Sequence, residues 1–249
     1  MRRYLPLLVT LALVLAAGCS GGDGDEAATA TPAVTGASAR PPVQLYGQDD
    51  PRFGRLLLRF ARAAADGDAG TMWRMLTSTT QASIGPSLTE FRKRSTLEFQ
   101  EGVGSIASTA DVLLSRRLGD FGVGAILGER EVDDGSQPFA YAVAFVRDGG
   151  GWRIELGGVV ITGLRPEPLE EVDARPQLAA DVGAGGELNR VLMWLDGEPF
   201  AVAEEDATPF AAHLRGIPDE PLDAGRHEIV VFAEAGPTAS ALAWTFESG

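Results

Sequence analysis

The sequence predicts an α+β domain followed by an all-β sandwich, set behind an export leader and a polar tether. Three observations carry this. Apolar residues recur at helical spacing between residues 51 and 101. The period then drops to two across four consecutive runs from Thr109 to Ile161. Beyond residue 176 only short strand-like runs remain, separated by turn compositions. The expected boundaries are 1–18 for the leader, 19–48 for the tether, 49–161 for the α+β domain, 162–176 for a linker and 177–249 for the sandwich.

The leader begins with Arg2 and Arg3, continues as an apolar run from Leu5 to Ala17, and ends at Gly18 before Cys19, the single cysteine of the chain. The run is too short to span a bilayer, which takes roughly 20 apolar residues. Leu15-Ala16-Ala17-Gly18-Cys19 resembles the lipobox of bacterial lipoproteins. That resemblance implies diacylglycerol on the Cys19 sulfur, cleavage before it, and a protein exported and held on the outer face of the bacterial cell membrane. The general secretory route is favoured, because Arg2-Arg3 lacks the flanking residues of a twin-arginine signal. Residues Ser20 to Gln48 are Gly, Asp, Ala, Thr, Pro and Ser with few large apolar side chains. Such a segment buries too little surface to offset its ordering entropy and is read as a tether. Gly18-Cys19-Ser20-Gly21-Gly22 matches G-x-S-x-G, but lacks the strand before and helix after that a nucleophile elbow needs.

A formal net charge of -14 and a pI near 4.6 exclude nucleic acid as a partner, since nothing here neutralises a phosphate backbone. The same balance excludes a polybasic grip on anionic lipid, so membrane attachment rests on the lipid at Cys19. With no cysteine after Cys19, the folded part holds together without disulfides.

A helix is expected from Pro51 to about Asp66, with Phe53, Leu56, Leu57, Phe60, Ala61 and Ala64 along one stripe. Arg55, Arg59 and Arg62 fall on the opposite, solvated face. Asp68 caps a second short helix carrying Met72, Trp73, Met75 and Leu76 inward. Ser87-Leu88-Thr89-Glu90 is a capping box that opens a third, ending near Gly102. Four strands follow, at about Thr109–Leu118, Phe121–Val132, Pro138–Arg147 and Gly151–Ile161. Gly119-Asp120, Asp133-Asp134-Gly135 and Asp148-Gly149-Gly150 supply the turns. One sheet face is large and apolar (Phe139, Tyr141, Val143, Phe145), the other small or charged.

This order, with Trp73-Arg74-Met75-Leu76 and the closing Gly151-Gly-Trp-Arg-Ile-Glu-Leu156 run, resembles the nuclear transport factor 2-like cone. The resemblance implies three helices packed on a curved antiparallel sheet around a pocket, in a family that includes ketosteroid isomerase and many exported domains. In the last third, Trp194-Leu-Asp-Gly197, the Pro221–Val231 run and Ala243-Trp-Thr-Phe246 resemble a bacterial immunoglobulin-like domain. That places Phe232, Trp244 and Phe246 in a sandwich core.

Chemical signals are sparse. His213 and His227 stand apart from each other and from the cysteine, so no zinc motif exists, and the acidic clusters lack calcium-loop spacing. No metal or cofactor is expected. The resemblance to isomerase-type cones makes Asp111 and Tyr141 the catalytic candidates. Glu155 alternates with Trp152, Ile154 and Leu156 and is expected to point away from the cone pocket. The reading is a non-enzymatic, membrane-anchored module that binds an envelope protein, a glycan or a small apolar ligand. An isomerase- or cyclase-like enzyme and an architectural spacer are the alternatives.

Overall fold

The structure, a computed structural model, describes residues 46–133 and 135–249. The leader and its lipobox cysteine, Cys19, lie outside the described residues.

Helix α1 (Pro51–Ala65) starts where the Asp50 carboxylate accepts the Arg52 N–H at 3.1 Å and Pro51 occupies the first turn. It buries Phe53, Leu57, Phe60, Ala61 and Ala64 completely and leaves Arg55, Arg59 and Arg62 exposed. Gly67, at φ 64°, supplies the left-handed residue that ends it. Asp68 then accepts the Thr71 N–H at 2.9 Å and opens α2 (Ala69–Met75). Thr77 caps α3 (Ser78–Ile84), and Ser87 caps α4 (Leu88–Arg94) by accepting the Glu90 N–H at 3.3 Å. After Ser95 the chain resumes as α5 (Thr96–Glu101), followed by a 3-10 turn at Val103–Ile106. Among the described residues no helix is long and apolar enough to cross a membrane.

The first sheet is antiparallel, in the order β1 (Gln48–Asp49), β2 (Asp111–Leu118), β3 (Phe121–Val132), β4 (Gly135–Asp148) and β5 (Gly151–Glu155). The chain then leaves it through β6 (Val159–Arg165), β7 (Glu171–Val172), β8 (Leu178–Ala184), β9 (Leu188–Leu195) and β10 (Glu198–Phe200). It continues through β11 (Ala203–Thr208), β12 (Ala211–Gly216), β13 (Gly225–Ala235) and β14 (Thr238–Ser248). These build a second sheet, β10-β9-β13-β14-β7, and a third, β11-β12-β8-β6. Asp196 and Gly197, at φ 51° and 77°, make the two-residue turn between β9 and β10, whose strands pair at Leu195 and Glu198.

This architecture corrects the fold class expected from the sequence. Among the described residues strand dominates, five helices stand where three were expected, and three sheets replace a cone followed by a separate sandwich. Two local causes account for the helices. Ser95 interrupts the expected third helix, and α3 is a polar segment, Ser78-Thr-Thr-Gln-Ala-Ser-Ile84, with no apolar stripe to betray it. The larger cause lies in the sheet. Residues 159–165, expected to close the cone and enter a linker, instead pair with β8 in the third sheet. Within the expected linker, β7 pairs in parallel with the end of β14.

Alternation along the strands sets the layers. On one face of the first sheet, Ile126, Val143, Phe145 and Ile154 pack against α1, α2 and the 3-10 turn. Gly122 and Gly124 of β3 fall on that face directly beneath Phe53, where an added Cβ would collide with the Phe53 ring or backbone. Their missing side chains let α1 lie close on the sheet. The opposite face, with Ala140, Ala142 and Ala144 beside Leu114, Leu118 and Val123, meets Leu192, Trp194, Val230 and Phe232 of the second sheet. The alternate residues of those same strands, Met193, Ile229 and Val231, together with Phe246 of β14, meet Leu178, Ala180, Val182 and Leu214 of the third. The order of layers is therefore helices, sheet, sheet, sheet, with the second sheet buried on both faces.

Candidate functional site

Strand β4 is longer than its neighbour β5. Pairing between them stops at Ala144 and Glu155, whereas β4 pairs with β3 back to Gly135. The edge of β4 facing away from β3 is therefore open along residues 138–142. Beyond Glu155 the chain turns through Gly157 and Gly158, at φ 117° and 86°, and passes to β6. That detour leaves a groove of about 430 Å³ wrapped around the open edge. Phe139 and Tyr141 form one wall, Val159, Ile161 and Leu242 the other, and Ala142 and Ala243 lie between the two sheets. A volume in this range matches small-molecule sites, which are apolar with few polar groups.

The carboxyl that lines this groove is that of Glu155, only 5% exposed, and Ser240 and the Tyr141 phenol add further polar groups. Glu155 shares a row with Ala144, so its side chain leaves the sheet on the face that meets the second sheet, opposite Ile154. Because β5 is the edge strand, the carboxylate is covered from the side by the α2–α3 junction. The Thr77 N–H donates to the Ile154 carbonyl at 2.9 Å, and the Thr77 hydroxyl donates to the Glu155 carboxyl. The Thr77 and Thr80 hydroxyl oxygens lie 3.0 Å apart, and the Leu156 N–H donates to Thr80 at 2.9 Å. Burial pushes the Glu155 carboxyl upward, the two threonines pull it part of the way back, and the charge of Asp148 raises it further. The outcome is a buried carboxyl group whose charged form is less favoured than that of an exposed glutamate.

The sequence-derived pair of Asp111 and Tyr141 is not brought together. Val112, Ile126 and Tyr141 share one row across β2, β3 and β4, while Asp111, Leu127 and Ala140 share the next. Neighbouring rows face opposite sides of the sheet, and the two residues sit two strands apart, roughly 10 Å. Asp111 is exposed at the start of β2. Tyr141 stacks on Phe139 with ring centroids 6.4 Å apart, and burial, with the charge of Glu98, pushes its phenol well above the usual range. The structure instead puts Tyr141 and Glu155 on the same groove. They belong to opposite sheet faces and meet only because the groove bends around a strand edge, a relation that alternation along one strand does not reveal.

The two histidines serve other ends. His213 lies across from Asp181 in the third sheet, with Nδ1 2.8 Å from the carboxylate. His227 is buried at the start of β13, where Nδ1 lies 2.7 Å from the Asp196 carboxylate and Nε2 donates to the Asp223 carbonyl at 2.8 Å. It clamps the Asp196-Gly197 turn to its neighbouring strand. Neither a protein-family model nor a curated protein matches the chain, so its groove and charged clusters must speak for themselves.

Proposed function

We propose that this chain is an exported, lipid-anchored, non-enzymatic binding protein whose ligand is a small amphiphile. The leader ending at Cys19 motivates the anchoring. The groove at the β4 edge motivates the ligand: apolar walls some 430 Å³ in extent that end at one buried carboxyl. The apolar body of the ligand lies between Phe139 and Tyr141 on one side and Ile161 and Leu242 on the other. Its polar end meets the carboxyl of Glu155. A cation gains little there, because burial disfavours the carboxylate that would pair with it.

The test uses N-phenylnaphthylamine, an apolar fluorophore with a single N–H, titrated into the full-length protein in mild detergent. Saturable fluorescence enhancement at micromolar probe is expected, lost when Leu242→Trp fills the groove. Glu155→Gln is expected to keep most of the affinity, because an amide keeps a hydrogen-bonding group there. Absence of saturable binding, or binding indifferent to Leu242→Trp, removes the proposal.

A further inference from the structure

A second depression lies between α1, α2 and the β4–β5 hairpin, with a volume of about 520 Å³ and no lining residue in common with the first. Its lining departs from the character of the chain. The protein carries 35 acidic side chains against 21 lysines and arginines, yet Arg59, Arg74 and Arg153 line this one cleft with Asp148 as the sole acid. The three arginines come from three elements, α1, α2 and β5, so no helical periodicity gathers them. None of the three lies in an ion pair among the described residues.

Asp148 does not cancel them. Its carboxylate accepts the Ser78 N–H at 2.6 Å, and that bond, more than the nearby Arg153, holds its pKa below the ordinary value. Three guanidiniums stand against one lining carboxylate, with the Asp68 carboxylate near Arg74, and this excess of positive charge favours an oxyanion. Arg74 is held by the Thr71 hydroxyl at 3.0 Å, which pre-orients one guanidinium. Trp73, Trp152, Phe145 and Ile154 also line the cleft, with one face of the Trp152 ring covered by the Arg147 guanidinium at 4.8 Å. Guanidinium forks match the planar or tetrahedral oxygens of carboxylate and phosphate, and indole faces suit a flat ring.

We infer that this cleft is a second ligand site, independent of the β4 groove, that binds a doubly charged oxyanion of the phosphomonoester type through Arg59, Arg74 and Arg153. The phosphate belongs either to a free small molecule or to an anionic lipid headgroup.

Phenyl phosphate and inorganic phosphate are titrated into the full-length protein in mild detergent, followed by calorimetry and tryptophan fluorescence. Arg59→Ala, Arg74→Ala and Arg153→Ala are each expected to weaken phenyl phosphate binding roughly tenfold, about 1.4 kcal/mol. Arg62→Ala, one turn along α1 and outside the cleft, is expected to change it less than twofold. Leu242→Trp, which fills the other groove, is expected to leave it unchanged. Co-sedimentation is compared on vesicles of phosphatidylcholine with and without phosphatidic acid, whose headgroup is a phosphomonoester. Preference for phosphatidic acid that the cleft variants abolish, without phenyl phosphate binding, supports the site and assigns the anion to a headgroup. Phenyl phosphate binding without vesicle preference supports it and assigns a free ligand. Neither signal, or equal losses in Arg62→Ala and the cleft variants, overturns the inference.

Discussion

Phe232→Ala tests whether the helical layer and the sandwich share one core. Phe232 is fully buried in β13, the strand at the centre of the second sheet. It faces the first sheet, and its ring meets Phe121 edge-on with centroids 6.3 Å apart. Removing a buried phenylalanine costs about 3–5 kcal/mol through lost transfer energy and the cavity left behind. For a body of this size each kcal/mol moves the melting midpoint by roughly 2–4 °C, so a fall of about 6–20 °C is expected. The distinguishing readout is cooperativity. Helix ellipticity reports α1 to α5, none of which contains residue 232. In a variant with Trp73 and Trp152 changed to Phe, fluorescence reports Trp194 and Trp244 in the second sheet. With a shared core the two signals move together and by equal amounts. Two separated transitions, with the helix signal at its wild-type midpoint, would refute the continuous-core argument.

Three further outcomes follow from the same geometry. Gly122→Ala drives a Cβ into the Phe53 ring, and its expected cost is about 1–3 kcal/mol by denaturant titration; a neutral result would mean α1 is not seated on β3. Thr77→Val removes both the α3 cap and the hydroxyl on Glu155, for an expected loss of about 1–3 kcal/mol, whereas Thr77→Ser keeps both and stays near wild type. His227 supplies a pH dependence. Burial alone lowers its pKa, but the Asp223 carbonyl and the Asp196 carboxylate, helped by Glu228, outweigh it and raise the pKa above 6.5. The stabilisation is therefore complete below about pH 6.5 and is lost as pH rises through the folded value. His227→Gln is expected to flatten the stability profile above pH 6.5, and an unchanged slope in that variant would remove His227 as its source.

Much of the local structure was legible because it rests on local chemistry. The α1 stripe, the Asp68 and Ser87 caps and the Asp196-Gly197 turn each follow from side chains within a few residues of one another. What stayed hidden depends on partners distant in sequence. Ala140, Ala142 and Ala144 are buried at 7%, 7% and 0%, yet a methyl side chain adds so little apolar area that a row of alanines does not declare a second packing face. Without that face, β4 reads as half-solvated and the sandwich reads as a separate domain. The same blindness covered the site. The phase of Glu155 on its strand is visible in the sequence, but the cover provided by Thr77, 78 residues away, is not. The three arginines of the cleft were equally dispersed, and one of them, Arg59, sits on a helix face that otherwise reads as plain solvated surface.

The position of β14 bears on how the chain can be made. It lies between β13 and β7 in the second sheet and packs across onto β4 and β6, so it touches every sheet of the molecule. Every one of those partners precedes it in the chain. A chain emerging N-terminus first can seat its helices on the first sheet early, but it cannot complete either sheet–sheet interface until β14 is out, and the alanine face of β4 stays only partly covered until then. Both sheet–sheet interfaces therefore lock late, only when the strand that seals them has arrived.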